Sequence, residues 1–225
     1  MDFKRMKSIL ILSVVFVLSA WAGTKPIAQG QFNYQLNLDG AQLNDMMKMM
    51  INGNELSFRF DQQFVDVRYS MMLASAQVVM NRKSREALML TELLGDKSAV
   101  VLPADMVEPR MKKPSDYEVQ LHEESRMIGT WNCQKATVSS AQGNMEIWYY
   151  PEIQIPDLDS PWTYAEIPGL PVSFYSDNLN GFEVSLVLTS HQMELDQALT
   201  KEIPTGYTEQ SFEEFRKKMG GYIGM

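Results

Sequence analysis

Apolar and polar residues alternate along most of this chain, and where they do not, the apolar spacing is helical. From Gln31 to Leu38, Phe32, Tyr34, Leu36 and Leu38 share one face, as in a half-buried strand. Asp39-Gly40 breaks the pattern. Ala41 to Ile51 then reads as a helix, with Leu43, Met46, Met47 and Met50 on one stripe and Gly53 just past its end. Five strands are predicted next: Glu55–Phe60, Phe64–Met72, Ser75–Asn81, Glu86–Leu94 and Ser98–Leu102, with a charged turn at Arg82-Lys83-Ser84-Arg85. Glu86–Leu94 also contains good helix formers, but its strand neighbours favour a strand. Turn signals about every ten residues predict an antiparallel sheet or barrel. Pro103 to Ser115 holds three prolines and mixed charge, the composition of a surface connection. Tyr117–His122 is the next predicted strand, with its turn at Glu123-Glu124-Ser125-Arg126.

Met127 to Ile153 predicts two strands joined at Ala141-Gln142-Gly143-Asn144. Ile147 and Tyr149 point one way from the second strand, and Trp148 and Tyr150 the other. A strand with large rings on both faces is covered on both sides and therefore central in its sheet. Pro156 to Leu170 is a loop carrying Trp162 and Tyr164. Pro171–Ser176 and Phe182–Ser190 pair around Asn178-Leu179-Asn180-Gly181, a strong hairpin turn. Gln192–Leu199 is ambiguous between the two periods. Thr208 opens a last helix whose apolar stripe is Phe212, Phe215 and Met219, ended by Gly220-Gly221.

The N-terminus changes the compartment. Lys4, Arg5 and Lys7 precede an apolar run, Ile9 to Leu18, and Ala20-Trp21-Ala22 is a small-x-small cleavage site. The run is about ten residues, half of what a membrane span needs. Residues 1–22 are thus expected to be a signal peptide cleaved near Ala22, leaving 23–225 as one periplasmic or secreted domain without a transmembrane segment. No cysteine follows the run, so a lipoprotein acylation site is missing. The full chain has 20 basic and 28 acidic residues, and loss of Asp2, Lys4, Arg5 and Lys7 moves its net charge from −8 to −10. Such a chain is repelled by nucleic-acid phosphates and by anionic membranes.

Candidate chemistry is sparse. The one cysteine, Cys133, forms no internal disulfide and fits a buried thiol. His122 and His191 are the only histidines, and no nucleophile elbow, zinc-protease helix or P-loop is present. Asp157, Asp159 and Glu166 read as a solvated acidic loop sooner than as a glycosidase pair or a calcium site. No catalytic residue, metal site or cofactor is expected. Met46-Met47-Lys48-Met49-Met50 has three readings: core packing, a Cu(I) site, or one wall of an apolar ligand cavity, which methionine suits because it re-packs easily. Trp148, Tyr150, Trp162 and Tyr164 either pack the core or grip a ligand.

Three motifs in series resemble a known family. Ile128-Gly129-Thr130-Trp131-Asn132-Cys133-Gln134-Lys135-Ala136 resembles the I-x-G-Y-x-C-x-K-A signature of the exported bacterial domain-of-unknown-function family 4412, with the glycine shifted by one. Trp148-Tyr149-Tyr150-Pro151-Glu152-Ile153 resembles its W-Y-x-x-x-I strand, and Gly169-Leu170-Pro171 its G-L-P element, after which a related GLPGLI group is named. The resemblance covers Gly129 to Ser173. It implies similarity to the lipoprotein carriers LolA and LolB, which wrap an incomplete antiparallel barrel around a helical lid and bind acyl chains in the hollow. The expected architecture is therefore mainly β (α+β): an open, LolA-like antiparallel half-barrel with the Met-rich helix as lid and a C-terminal helix. The expected function is non-enzymatic binding of a lipid or a lipoprotein acyl chain between sheet and helix by Met46, Met47, Met50, Trp148, Tyr150, Trp162 and Tyr164. Two alternatives stand beside it: an envelope interaction module using the Trp162–Leu170 loop, and a Met-based copper binder.

Overall fold

The computed structural model of the protein describes residues 26–71, 74–111, 113–156, 158, 164–179 and 181–223. The signal segment, Asp157, Asp159 and Trp162 lie outside them. The strands are β1 (Gly30–Asp39), β2 (Asn54–Phe60), β3 (Phe64–Ser70), β4 (Ala74–Asn81), β5 (Ala87–Leu93), β6 (Asp96–Leu102), β7 (Tyr117–Ile128), β8 (Trp131–Ser140), β9 (Gly143–Tyr150), β10 (Leu170–Leu179), β11 (Phe182–Gln192) and β12 (Thr208–Glu209). Helix α1 is Asp45–Ile51 and helix α2 is Phe212–Ile223. All twelve strands form one sheet in the order β12-β6-β5-β4-β3-β2-β1-β11-β10-β9-β8-β7. The sheet is mainly antiparallel and open, with β12 and β7 at its two ends.

Short polar turns produce the meander from β2 to β6. Asp61 Oδ1 accepts the Gln63 and Phe64 amides at 2.7 Å each, and Asn81 Oδ1 accepts those of Lys83 and Ser84 at 2.9 Å. Side-chain acceptors of this kind hold a turn in place of a backbone bond. Between β5 and β6, Leu94 and Gly95 both take positive φ, 52° and 86°, as a tight two-residue hairpin requires. The first strand sits in the middle of the sheet. β1 pairs with β2 on one side and with β11 on the other, where Leu36 opposes Leu186.

Alternation sorts the side chains onto two faces. Phe32, Tyr34, Leu56, Phe58, Phe60, Val65, Met80 and Ala87 join Ala136, Val138, Ile147, Tyr149, Phe174 and Leu186 in one buried apolar cluster. We call this side the inner face. On the outer face of β3–β6, Phe64 and Val79 pack on Leu195 and Leu199, while Leu88, Leu90 and Ala99 pack on Ile203 and Tyr207. The irregular segment 195–207 thus crosses the outer face as a strap. β12 then pairs in parallel with β6 through Thr208 and Glu209. α2 follows, tied to β6 by Lys218 to Asp96 at 2.6 Å and to Ser98 at 3.1 Å.

The structure corrects three expectations about these elements. Glu123–Arg126 is not a turn. β7 runs on to Ile128, with its register shifted between Leu121 and Ser125, and the chain reverses at Gly129, whose φ is +58°. A glycine in the left-handed region turns the chain without strain, and a bulge absorbs the polar residues that imitated a turn. The last helix begins after Ser211, not at Thr208, because Ser211 and Glu214 form a reciprocal cap: the Glu214 amide donates to Ser211 Oγ (3.2 Å) and the Ser211 amide to Glu214 Oε2 (2.8 Å). Pro103–Ser115 is not purely a surface connection, since Val107 and Met111 pack on the inner-face cluster. A lid formed by the Met-rich helix is not shown: α1 has seven residues, about 10 Å at 1.5 Å per residue, against a sheet about 50 Å wide at roughly 4.8 Å per strand.

Candidate functional site

The inner face is the only large apolar expanse the fold builds among the described residues, so it is the place to look for a site. Its floor is made of strand residues from both halves of the sheet, with Phe32 stacked on Phe60 (centroids 6.1 Å apart) and Tyr34 edge-on to Phe174 (5.8 Å). Burial raises the Tyr34 phenol, which stays protonated and donates to the Pro171 carbonyl at 2.9 Å. The cover comes from two irregular segments. Val107 and Met111 come from the β6–β7 connection, and Ile153, Ile155, Leu158, Tyr164 and Ile167 from the β9–β10 connection. The ends of the second segment are pinned: the Ile27 amide donates to Gln154 O at 2.9 Å, and Gln154 Nε2 donates to Pro151 O and Pro168 O. Tyr164 meets Tyr117 edge-on at 4.9 Å, and Tyr117 OH donates to Glu166 Oε2 at 3.3 Å.

The face is filled. Among the described residues the space against it, beside Ile155, Tyr164, Ile167 and Pro171, is about 10 Å³. The preformed hollow of lipid size that the barrel reading implies is therefore not seen there, because the connections turn their own apolar side chains onto the sheet. A larger depression of about 280 Å³ lies at the end of β1, lined by Asp39, Gly40, Lys48, Asp177, Gly181 and Glu183. It is polar, and Lys48 already neutralises Asp39 at 2.6 Å.

Of the proposed ligand residues whose side chains are described, Tyr164 lies on one face of the sheet and Trp148 and Tyr150 on the other. Met46, Met47 and Met50 belong to α1, but their side chains lie outside the described ones. The helix itself sits at the rim of the sheet, where Ile51 O accepts from Tyr69 OH (3.3 Å) and Met49 is 78 % exposed. Tyr164 is on the inner face, whereas Trp148 and Tyr150 lie on the outer one. Trp148 is buried beside Cys133 and Val172. Its ring carries the Arg126 guanidinium at 3.9 Å, and its Nε1 donates to Glu146 Oε1 at 2.6 Å. Tyr150 is edge-on to Trp131 (4.8 Å) and donates to Glu152 Oε2 (2.6 Å). In the described part of the loop suggested as a contact surface, Ile167 and Leu170 are buried and Ala165, Glu166 and Pro168 are exposed. Sequence reasoning missed Val107, Met111, Ile153, Ile155, Leu158 and Ile167. The one available signal was isolated apolar residues inside segments too rich in proline and charge to look like core.

The titratable residues singled out in the sequence have other partners among the described residues. Cys133 opposes Arg126 across the β7–β8 ladder, and burial pushes its thiol up to about 11 despite that guanidinium. His122 shares a hydrogen bond with Thr137 Oγ1 at 2.9 Å. On the outer face Asp66 is buried, ion-paired with Arg59 and accepting from Gln77 Nε2 at 3.0 and 3.1 Å. No group of three or more His, Cys, Asp or Glu able to hold a metal exists among the described residues.

No family model and no curated sequence matches the chain. Among solved structures it is similar to PNGF-II in two crystal forms, with a TM-score of 0.43 for each and identities of 15 % and 16 %, over 84 % of this chain and 32 % of that one. The chain thus spans about a third of the length of PNGF-II. It is also similar to a LolA superfamily protein from Nitrosomonas europaea, with a TM-score of 0.28 and 8 % identity, over 76 % of this chain and 89 % of that one. At these scores the likenesses carry no weight for function.

Proposed function

We propose that this chain is an exported, non-enzymatic binding protein that holds an amphiphilic, lipid-like ligand against the inner face of its sheet. We group it with the domain-of-unknown-function family 4412 that its motifs resemble, and place it in the periplasm or outside the cell after cleavage near Ala22. The observation that carries the binding reading is the way the inner face is covered. Its apolar floor crosses both halves of the sheet, yet its cover is neither a second sheet nor a long helix but single side chains from two irregular connections. An acyl chain is chemically equivalent to that cover. With about 10 Å³ of space there, and ligand sites usually a few hundred Å³, the ligand binds only by taking the place of covering side chains such as Met111, Ile155 and Tyr164. The engaged His122 and the buried, protonated Cys133 support the non-enzymatic part.

Native mass spectrometry of the mature protein, purified from the compartment to which it is exported, tests this reading. The expected result is an added mass matching a fatty acid or lipid, and saturable uptake of a fluorescent fatty acid that competes with it. A bare chain that also fails to take up the probe removes the reading.

A further inference from the structure

A row of carboxamides runs along the outer face of β1, in the middle of the sheet: Gln31, Asn33, Gln35 and Asn37, followed by Asp39. Asparagine is disfavoured in strands, so strand formation does not account for Asn33 and Asn37. The first two members are engaged. Gln31 Nε2 donates to Asn33 Oδ1 at 3.3 Å, and Asn33 Nδ2 to Ser190 Oγ at 2.9 Å. Gln35 is exposed and Asn37 half-buried, and their carboxamides make no hydrogen bond among the described residues. Asn37 opposes Ser185 on β11, and Ser185 opposes Tyr175 on β10. The small Ser185 is thus a floor between the Asn37 carboxamide and the Tyr175 ring, two strand spacings or about 10 Å apart. That ring is 42 % exposed. At the end of the row Asp39 opposes Glu183, and both line the depression of about 280 Å³, with Asp177 beside them. Tyr175 OH donates to Glu183 Oε1 at 3.4 Å, which joins the ring to the depression.

We propose that this strip of the outer face is a binding site for a neutral oligosaccharide. One sugar ring lies over Ser185 with its C–H face against Tyr175, and Gln35 and Asn37 exchange hydrogen bonds with its hydroxyls. A carboxamide both donates and accepts, as a sugar hydroxyl does. The next ring enters the depression, where Glu183 and Asp177 accept from its hydroxyls. An acyl chain would leave these polar groups desolvated and unpaired. A polyanion is repelled by the carboxylates and by the net charge of −8. The carboxylates form no group able to hold a metal. The site lies across the sheet from the inner face and stands independently of the lipid reading.

The test titrates the full mature chain calorimetrically with cellohexaose, maltohexaose and chitohexaose, and with a sulfated hexasaccharide as the anionic control. At least one neutral sugar is expected to bind saturably, with an affinity that added salt leaves unchanged. Tyr175→Ala and Asn37→Ala are each expected to weaken that binding by about tenfold, and Tyr175→Phe, which keeps the ring, to retain it. None of these side chains belongs to the core, so all three variants are expected to keep the wild-type urea midpoint. No saturable binding of any neutral sugar overturns the ligand class, as does preference for the sulfated one. Binding undiminished in Tyr175→Ala and Asn37→Ala overturns the site.

Discussion

Trp148 looks available to a ligand in the sequence, yet the fold uses it fully: it is buried, its indole donates to Glu146, and Arg126 covers its ring. Cys133, in the same cluster, is expected to ignore a thiol reagent at pH 8 in the native chain and to react at once in urea. Its folded value rises from 9.0 to about 11 by burial, so it contributes stability that is full below pH 9 and lost as pH rises through about 11. Asp66 has the same sign in the acid range. Burial raises its carboxyl above the ordinary 3.8, against Arg59 and Gln77. Its contribution is therefore full below pH 3.8 and lost as pH rises through the folded value. Urea titrations between pH 3 and 7 should show the advantage of wild type over Asp66→Asn shrinking as pH rises; a constant difference would refute the linkage. Gly169, in the G-L-P element, approaches the Tyr150 backbone so closely that a Cβ would stand 2.4 Å from its carbonyl oxygen. Gly169→Ala is expected to cost about 1–3 kcal/mol in urea unfolding, the range for overpacking a close contact.

Among the elements, the strap is the one whose role depends wholly on partners far away in sequence. Leu199 seals Phe64 and Val79 on the outer face. Leu199→Ala is expected to cost about 2–4 kcal/mol, because the sheet beneath cannot move in to fill the gap. The last helix depends on its cap. Ser211→Ala removes the Oγ that accepts the Glu214 amide and should cost about 1 kcal/mol, with the loss read as faster hydrogen exchange in α2 before the sheet opens.

At the scale of the molecule, the first strand joins two runs of strands into one sheet, β2–β6 on one side and β7–β11 on the other. The inner-face cluster crosses that seam, from Val65 and Phe58 through Tyr34 to Leu186 and Ile147. Trp131 and Trp148 lie in the second run, and residues 54–102 contain no tryptophan. Tryptophan fluorescence therefore reports one run, and far-UV circular dichroism reports both. Their urea transitions are expected to coincide, since neither run keeps its core without the other. Two separated midpoints would show that the runs unfold independently.

What the sequence determined by itself is local. Alternation predicts the strands from β1 to β6 and from β8 to β11, because a period of two is written in neighbouring residues. Asn and Gly mark the turns before Gly143 and at Gly181, and rings on both faces predict the central place of β9. What only the tertiary structure decided is which distant segments meet. Isolated apolar residues such as Met111, Leu158 and Leu199 carry no period, and only the sheet they land on makes them core. The same holds for β12, two residues long and invisible without β6, and for Glu123–Arg126, polar enough for a turn but held extended against β8. The cover of the inner face is the largest such decision. It comes from contacts between residues about a hundred positions apart, and a one-dimensional pattern records none of them.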